Sequence, residues 1–158
     1  MNPPPAAIIH LYLSPGHNYV GHHGAAPGTH EMVEVEQVAC VAGRGVVGDR
    51  FFDYRPDYRG QITFFALETH NDLCLRLDRQ DRLPSVYRRN VVTRGLDLNA
   101  LIGVEFKIQG VSFRGSEECR PCHWMDQSFG PNAESLLTGR GGLRARILTS
   151  GTIGVGSV

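Results

Sequence analysis

Lysine is almost missing from this sequence. Of 16 basic residues, 15 are arginine and only Lys107 is lysine. Lysine-based Schiff-base chemistry therefore has one candidate, which sits in the apolar stretch Val104–Ile108, so no pyridoxal phosphate is expected. Net charge is missing too: 16 Asp and Glu balance the basic residues, and a general nucleic-acid binder would carry a basic excess. Four cysteines in 158 residues are too few for a disulfide scaffold. No apolar run approaches the ~20 residues that span a bilayer. The run from Ala6 to Leu13 is broken by His10, and Met1–Pro5 lacks a basic leader, so neither a membrane anchor nor a signal peptide is expected. The expectation is a cytoplasmic protein of one domain, 1–158, with a short tail at 1–5 and a folded core over 6–158.

Charge is unevenly placed. Residues 1–43 hold no Lys or Arg and three Glu, together with five of the seven histidines. The remainder carries every arginine, a planar and permanently charged fork suited to phosphate and carboxylate. An anionic ligand is the chemistry to look for.

Nineteen glycines and nine prolines punctuate the chain at the short intervals of a β-rich fold. Strands are expected over 8–13, 32–39, 62–65, 90–93, 104–108, 111–113, 143–148 and 153–155, with Val33, Val35 and Val38 turned toward a core. Gln109-Gly110 reads as a tight hairpin. One helix is expected from Ala66 to Leu83, because Ala66, His70, Leu73 and Leu77 share a face at i, i+4, i+7 and i+11. A second is expected over Asn132–Thr138, capped by Asn132 and ended by Gly139. Many short strands with one main helix indicate a mainly β fold, a closed or nearly closed β-barrel with a few helices.

Gly43-Arg44-Gly45-Val46-Val47-Gly48 matches the dinucleotide fingerprint letter for letter. A strand precedes it, but Asp49–Pro56 is no helix start, so the helix N-terminus that binds a pyrophosphate is missing. No NAD is expected; a glycine turn that delivers Asp49 and Arg50 to a site is the better reading. Arg88-Arg89-Asn90 leads into a strand, with Arg89 and Asn90 on opposite sides. In Gly139-Arg140-Gly141-Gly142-Leu143-Arg144-Ala145-Arg146 the glycines let backbone N–H groups approach a ligand, while Arg140, Arg144 and Arg146 supply cations. Together these clusters form a candidate phosphate site.

Cys119-Arg120-Pro121-Cys122-His123 fits several patterns at once. The haem-attachment reading needs an oxidising compartment and a helical wrap, so no haem is expected. A zinc half-site needs two further ligands, such as Cys40, Cys74 or histidines. A redox pair lacks its helix N-terminus. A single thiolate, Cys122 or Cys119, as ligand or nucleophile stays open, as does a loop of two inert cysteines. His17, His22 and His23 read as a pocket-lining loop that either chelates or lines a mouth.

In order along the chain, Gly45–Arg50, Arg89-Asn90, Gly95-Leu96-Asp97-Leu98, Leu101-Ile102-Gly103, Pro121-Cys122 with Asp126, Gly139–Gly142 and Gly151–Gly156 resemble the MOSC domain, the C-terminal domain of molybdenum cofactor sulfurases. The resemblance implies a MOSC-type barrel like the β-barrel domain of pyruvate kinase, and a molybdopterin ligand. It implies Cys122 as the residue that binds molybdenum. Arg89 and Asn90 match positions near the cofactor, Arg140 and Gly141 lie in the loop expected at the pterin phosphate, and Asp126 matches an acidic residue that orients substrate or water. Arg50 and Arg144 complete the cofactor-binding set. A soft thiolate suits molybdenum and arginines suit phosphate. Two departures stand out: Ser157 replaces the aspartate of the family's usual ending, and Cys119 is extra, which raises a persulfide or disulfide.

Three functions follow. The first is an oxotransfer protein that reduces small N-hydroxylated substrates and draws electrons from a separate reductase. The second is a persulfide carrier or cofactor chaperone served by a sulfur donor. The third is a zinc-stabilised interaction domain using Cys119 and Cys122.

Overall fold

Pairs of short β-branched segments joined by glycine turns set the architecture. In the computed structural model, which describes residues 5–18 and 28–158, eleven strands form. They are β1 (Ala7–Leu13), β2 (Val33–Val35), β3 (Gln37–Val41), β4 (Gly45–Val46), β5 (Ile62–Ala66), β6 (Val91–Arg94), β7 (Glu105–Ile108), β8 (Val111–Glu118), β9 (Leu143–Ile147), β10 (Gly151–Gly154) and β11 (Gly156–Ser157). Three helices accompany them: α1 (Leu67–Arg76), α2 (Trp124–Ser128) and α3 (Ala133–Leu137).

Eight strands form one sheet in the order β11-β1-β6-β5-β9-β8-β7, with β2 also on β1; β10-β3-β4 form a second. Among the strands of the described residues only β5 and β6 pair in parallel, and α1 lies in the crossover between them, as a parallel pair requires. Among the described residues the main sheet is an open path and is not closed by a backbone ladder. Its last strand, β11, is two residues long and pairs with β1. A side chain spans that seam. Gln109 Nε2 donates to the Gly154 and Ser157 carbonyls at 2.8 and 3.1 Å, and Gly154 N donates to Gln109 Oε1 at 2.7 Å.

The core lies between the two sheets, with Val38 and Ile153 of the small sheet packed with Leu11, Phe64, Phe113 and Ile147 of the large one. A second cluster beneath α1 joins Phe65, Leu73, Tyr87, Met125, Phe129 and Leu137.

Local expectations meet tertiary structure unevenly. Gln109 and Gly110 both take positive φ, 50° and 85°, the twist a two-residue hairpin needs. Helix α1 stops at Arg76 rather than Leu83, because Asp78 takes a left-handed φ of 52°. Val33 is 52 % exposed, against expectation, since the strand breaks at Glu36 and β2 and β3 join different sheets. Asn132 does precede α3 but makes no side-chain cap; Asp126 Oδ1 accepts from Glu134 N at 2.9 Å instead. Among the described residues no helix is long and apolar enough to cross a membrane.

Candidate functional site

The glycine turn after β4 ends in Asp49, whose side chain is fully buried. Its carboxylate accepts from Ser14 N at 3.1 Å and Phe51 N at 3.3 Å, and from Arg50 Nη1 at 3.2 Å. Arg50 Nη2 donates to the Arg88 carbonyl at 2.9 Å. Burial pushes the Arg50 pKa down and the Arg89 charge adds to this, while Asp49 works against both.

Arg88 ends the short 3-10 turn Pro84–Tyr87 in a left-handed conformation, φ 58°, a costly geometry for a residue with a Cβ. The kink sends Arg88 and Arg89 to different partners. Arg88 donates to the His30 and Gly16 carbonyls and to Ser14 Oγ, each at 2.8 Å. Arg89 turns the other way. It donates to the carbonyls of Tyr87 at 2.6 Å, Gly141 at 3.2 and 3.3 Å, and Cys119 at 3.4 Å. Neutral carbonyls hold the guanidinium in place without cancelling its charge.

On β9 the alternation puts Leu143, Ala145 and Ile147 inside. Arg144 reaches Glu117 Oε1 at 3.4 Å and stands beside the Cys119 thiol. Burial lowers the Arg144 pKa, but Cys119, Tyr58 and Glu117 outweigh it and the net shift is upward.

Arg50, Arg89 and Arg144 converge on one cavity of about 180 Å³, which Cys119 and Cys122 also line. Cys122 is exposed and Cys119 buried. Phe51 and Tyr58 form an aromatic wall, stacked at 5.5 Å between centroids. His17 lines the same cavity and meets Phe51 edge-on at 4.8 Å. Its pKa is lowered by burial and then by Arg50, which favours a neutral ring at pH 7. With Arg88 and Arg120 also on the lining, two thiols beside five arginines make a site suited to a soft metal and a phosphate-sized anion.

The other sequence candidates lie elsewhere. Asn90 is engaged within the sheet: its Oδ1 accepts from Thr63 N and Oγ1 at 3.0 and 3.2 Å, and its Nδ2 donates to the Tyr12 carbonyl at 3.2 Å. Arg140 pairs with Asp72 at 2.7 Å and lines a separate hollow with Glu68 and Asp97. Asp126 is exposed and caps α3. Gly141 serves indirectly. Its carbonyl holds Arg89, and a Cβ there would overlap the Cys119 carbonyl oxygen. His22 and His23 lie outside the described residues. Among those residues, no group of three or more His, Cys, Asp or Glu stands together as a metal would require. Sequence reading passed over the aromatic wall, although Phe51 directly follows Arg50 and Tyr58 stands seven residues on.

A family model for the MOSC domain matches residues 23–158. The chain belongs to the MOSC domain family. The family is associated with molybdenum-cofactor binding and sulfurase-like roles. The fold is similar to that of the YuaD protein from Bacillus subtilis, with a TM-score of 0.73 at 18% identity over 96% of this chain and 92% of that one. It is also similar to YiiM from Geobacillus stearothermophilus, TM-score 0.69 at 18% identity over 97% and 73% of the two chains. For YiiM from Escherichia coli the TM-score is 0.66 at 15% identity over 98% and 68%. No curated protein sequence matches. At these identities the likeness concerns the fold of this MOSC domain.

Proposed function

We propose that this MOSC protein holds the molybdenum cofactor in the arginine-lined cavity and takes oxygen from small N-hydroxylated compounds. The observation that carries this reading is the convergence of Arg50, Arg89 and Arg144 with the exposed thiol of Cys122 on one cavity. The donor set fits the group. Arg89 is fixed by carbonyls rather than by a carboxylate in its hydrogen bonds, so its charge is available to a phosphate. Cys122 would hold the metal through Sγ.

When bound, the cofactor supplies two-electron oxygen-atom chemistry. The chain's part is binding and orientation. Phe51 and Tyr58 offer flat apolar surface to a planar ligand, and a neutral His17 is able to give or take a proton at the cavity wall. Electrons come from a separate donor protein.

The test is reduction of benzamidoxime to benzamidine and water, with dithionite supplying the two electrons. Turnover that disappears in Cys122→Ala supports the reading. Protein that loads cofactor tightly and turns nothing over contradicts it and favours a sulfur carrier or chaperone. That second reading has its own observation: Cys119, another thiol in the same cavity, beside Arg144.

A further inference from the structure

Cys119 has no task in the oxygen-transfer reading, yet it shares the cavity with Cys122. The two are separated by Arg120-Pro121 alone, so their Cα atoms are at most ~11 Å apart. Both are anchored at the backbone. Cys119 N donates to the Gly142 carbonyl at 2.8 Å, and the Cys122 carbonyl accepts from Met125 N at 2.9 Å as α2 begins. A disulfide needs Cα atoms about 4.4–6.8 Å apart, a separation within that limit.

Exposure divides the roles. Cys122 is open to solvent, whereas Cys119 is only 5 % exposed and meets small molecules through the cavity. Arg50 and Arg144 line the same cavity as Cys119, and cations there stabilise charge as it moves between sulfurs. The remaining cysteines do not compete. Cys40 is buried between the sheets and Cys74 in the cluster beneath α1, and burial pushes the Cys40 thiol up to about 12.

We propose that Cys119 and Cys122 form a reversible intrachain disulfide by exchange with a low-molecular-weight disulfide such as oxidised glutathione. Cys122 Sγ, losing its proton to solvent, attacks one glutathione sulfur and expels the other glutathione as a thiolate. Cys119 then gives up its proton and attacks Cys122 Sγ, expelling the second glutathione. Two protein thiols are oxidised and one disulfide is reduced to two thiols. A Cys122 held in this bond is unavailable to a metal; that consequence alone rests on the proposed function.

The experiment uses the full chain prepared from a cofactor-deficient host and from a cofactor-competent host. Each is treated with oxidised glutathione, quenched with N-ethylmaleimide and digested with trypsin. Both cysteines fall in peptide 115–140, because Arg120 precedes proline. In the cofactor-free chain the expected product is this peptide about 2 Da lighter and unalkylated, restored by dithiothreitol. Cys119→Ser should instead retain one glutathione on Cys122. A wild-type peptide carrying glutathione on Cys122 with Cys119 alkylated overturns the proposal, as does one with both cysteines alkylated. In the loaded protein, disulfide formation accompanied by equal loss of molybdenum supports both inferences. Disulfide formation with molybdenum retained leaves the redox pair standing and overturns Cys122 as the ligand.

Discussion

Arg89 and Gly141 meet at a single oxygen: Nε and Nη2 of the arginine both donate to the Gly141 carbonyl, at 3.3 and 3.2 Å. This contact ties the entry of β6 to the loop before β9 and fixes a buried cation at the cavity wall. It also explains why residue 141 is glycine, since a Cβ would overlap the Cys119 carbonyl oxygen and come within 2.9 Å of Pro121 Cδ.

Gly141→Ala should therefore displace the Cys119–Pro121 segment and lower stability by on the order of 2 kcal/mol. Arg89→Ala should cost about 2 kcal/mol by leaving buried carbonyls without a donor. Urea unfolding reads both. Arg89→Ala should in addition weaken retention of a phosphate-bearing ligand in the protein that remains folded, and unchanged retention would remove Arg89 from the site.

Asn90 separates fold from function. It stitches β5, β6 and β1 through Thr63 and Tyr12. Asn90→Ala should destabilise by about 2–3 kcal/mol, because several buried groups lose their partner together. Metal content per folded molecule should stay at the wild-type value. A stable variant that loses metal selectively would return Asn90 to the cofactor.

Arg140 and Arg144 form a matched pair for charge removal. Arg140 is bound to Asp72 outside the cavity, and Arg144 lines it. Arg140→Gln should change stability by no more than about 1 kcal/mol, the worth of a surface pair, and leave ligand retention unaltered. Arg144→Gln should reduce retention several-fold. Equal losses in the two would contradict the assignment of the cavity.

The contrast shows what the sequence made legible. Leu143–Leu148 was legible as a strand and Gln109-Gly110 as a hairpin, because both signals are local. For Arg140 and Asn90 distant partners decide the orientation, which spacing does not reveal: Asp72 on α1 captures one, and Thr63 across the parallel pair captures the other. Val33 was given the wrong face because a sheet switch at Glu36 leaves no mark on a run of alternating valines and glutamates. The cysteine loop and Arg50 could be named from spacing. Their convergence with Arg89 depends on the left-handed kink at Arg88, which no residue pattern announces.

Mild acid should destabilise the fold through a buried histidine. His70 is buried, with Nδ1 2.7 Å from the Tyr87 hydroxyl. Burial pushes its pKa below the ordinary histidine value, and the nearby backbone of Arg82 only partly offsets this. Between the folded and unfolded values the unfolded chain binds more protons, so stability falls as pH drops through about 6.5 and levels off below the folded value. His17 is shifted in the same direction. Asp53 and Asp72, held down by Arg44 and Arg140, contribute only at lower pH, through the ordinary carboxylate range and below it. Urea midpoints should therefore decline between about pH 7.5 and 5.5, and His70→Gln should flatten that slope. A midpoint that rises on acidification would contradict the assignment.

The most direct measurement is molybdenum per chain in wild type, Cys122→Ala and Cys119→Ala, each made in a molybdopterin-competent host and counted by mass spectrometry of the metal. Near-stoichiometric molybdenum in wild type and Cys119→Ala, with loss in Cys122→Ala, is the expected result. Zinc in place of molybdenum, lost equally from both variants, would contradict it.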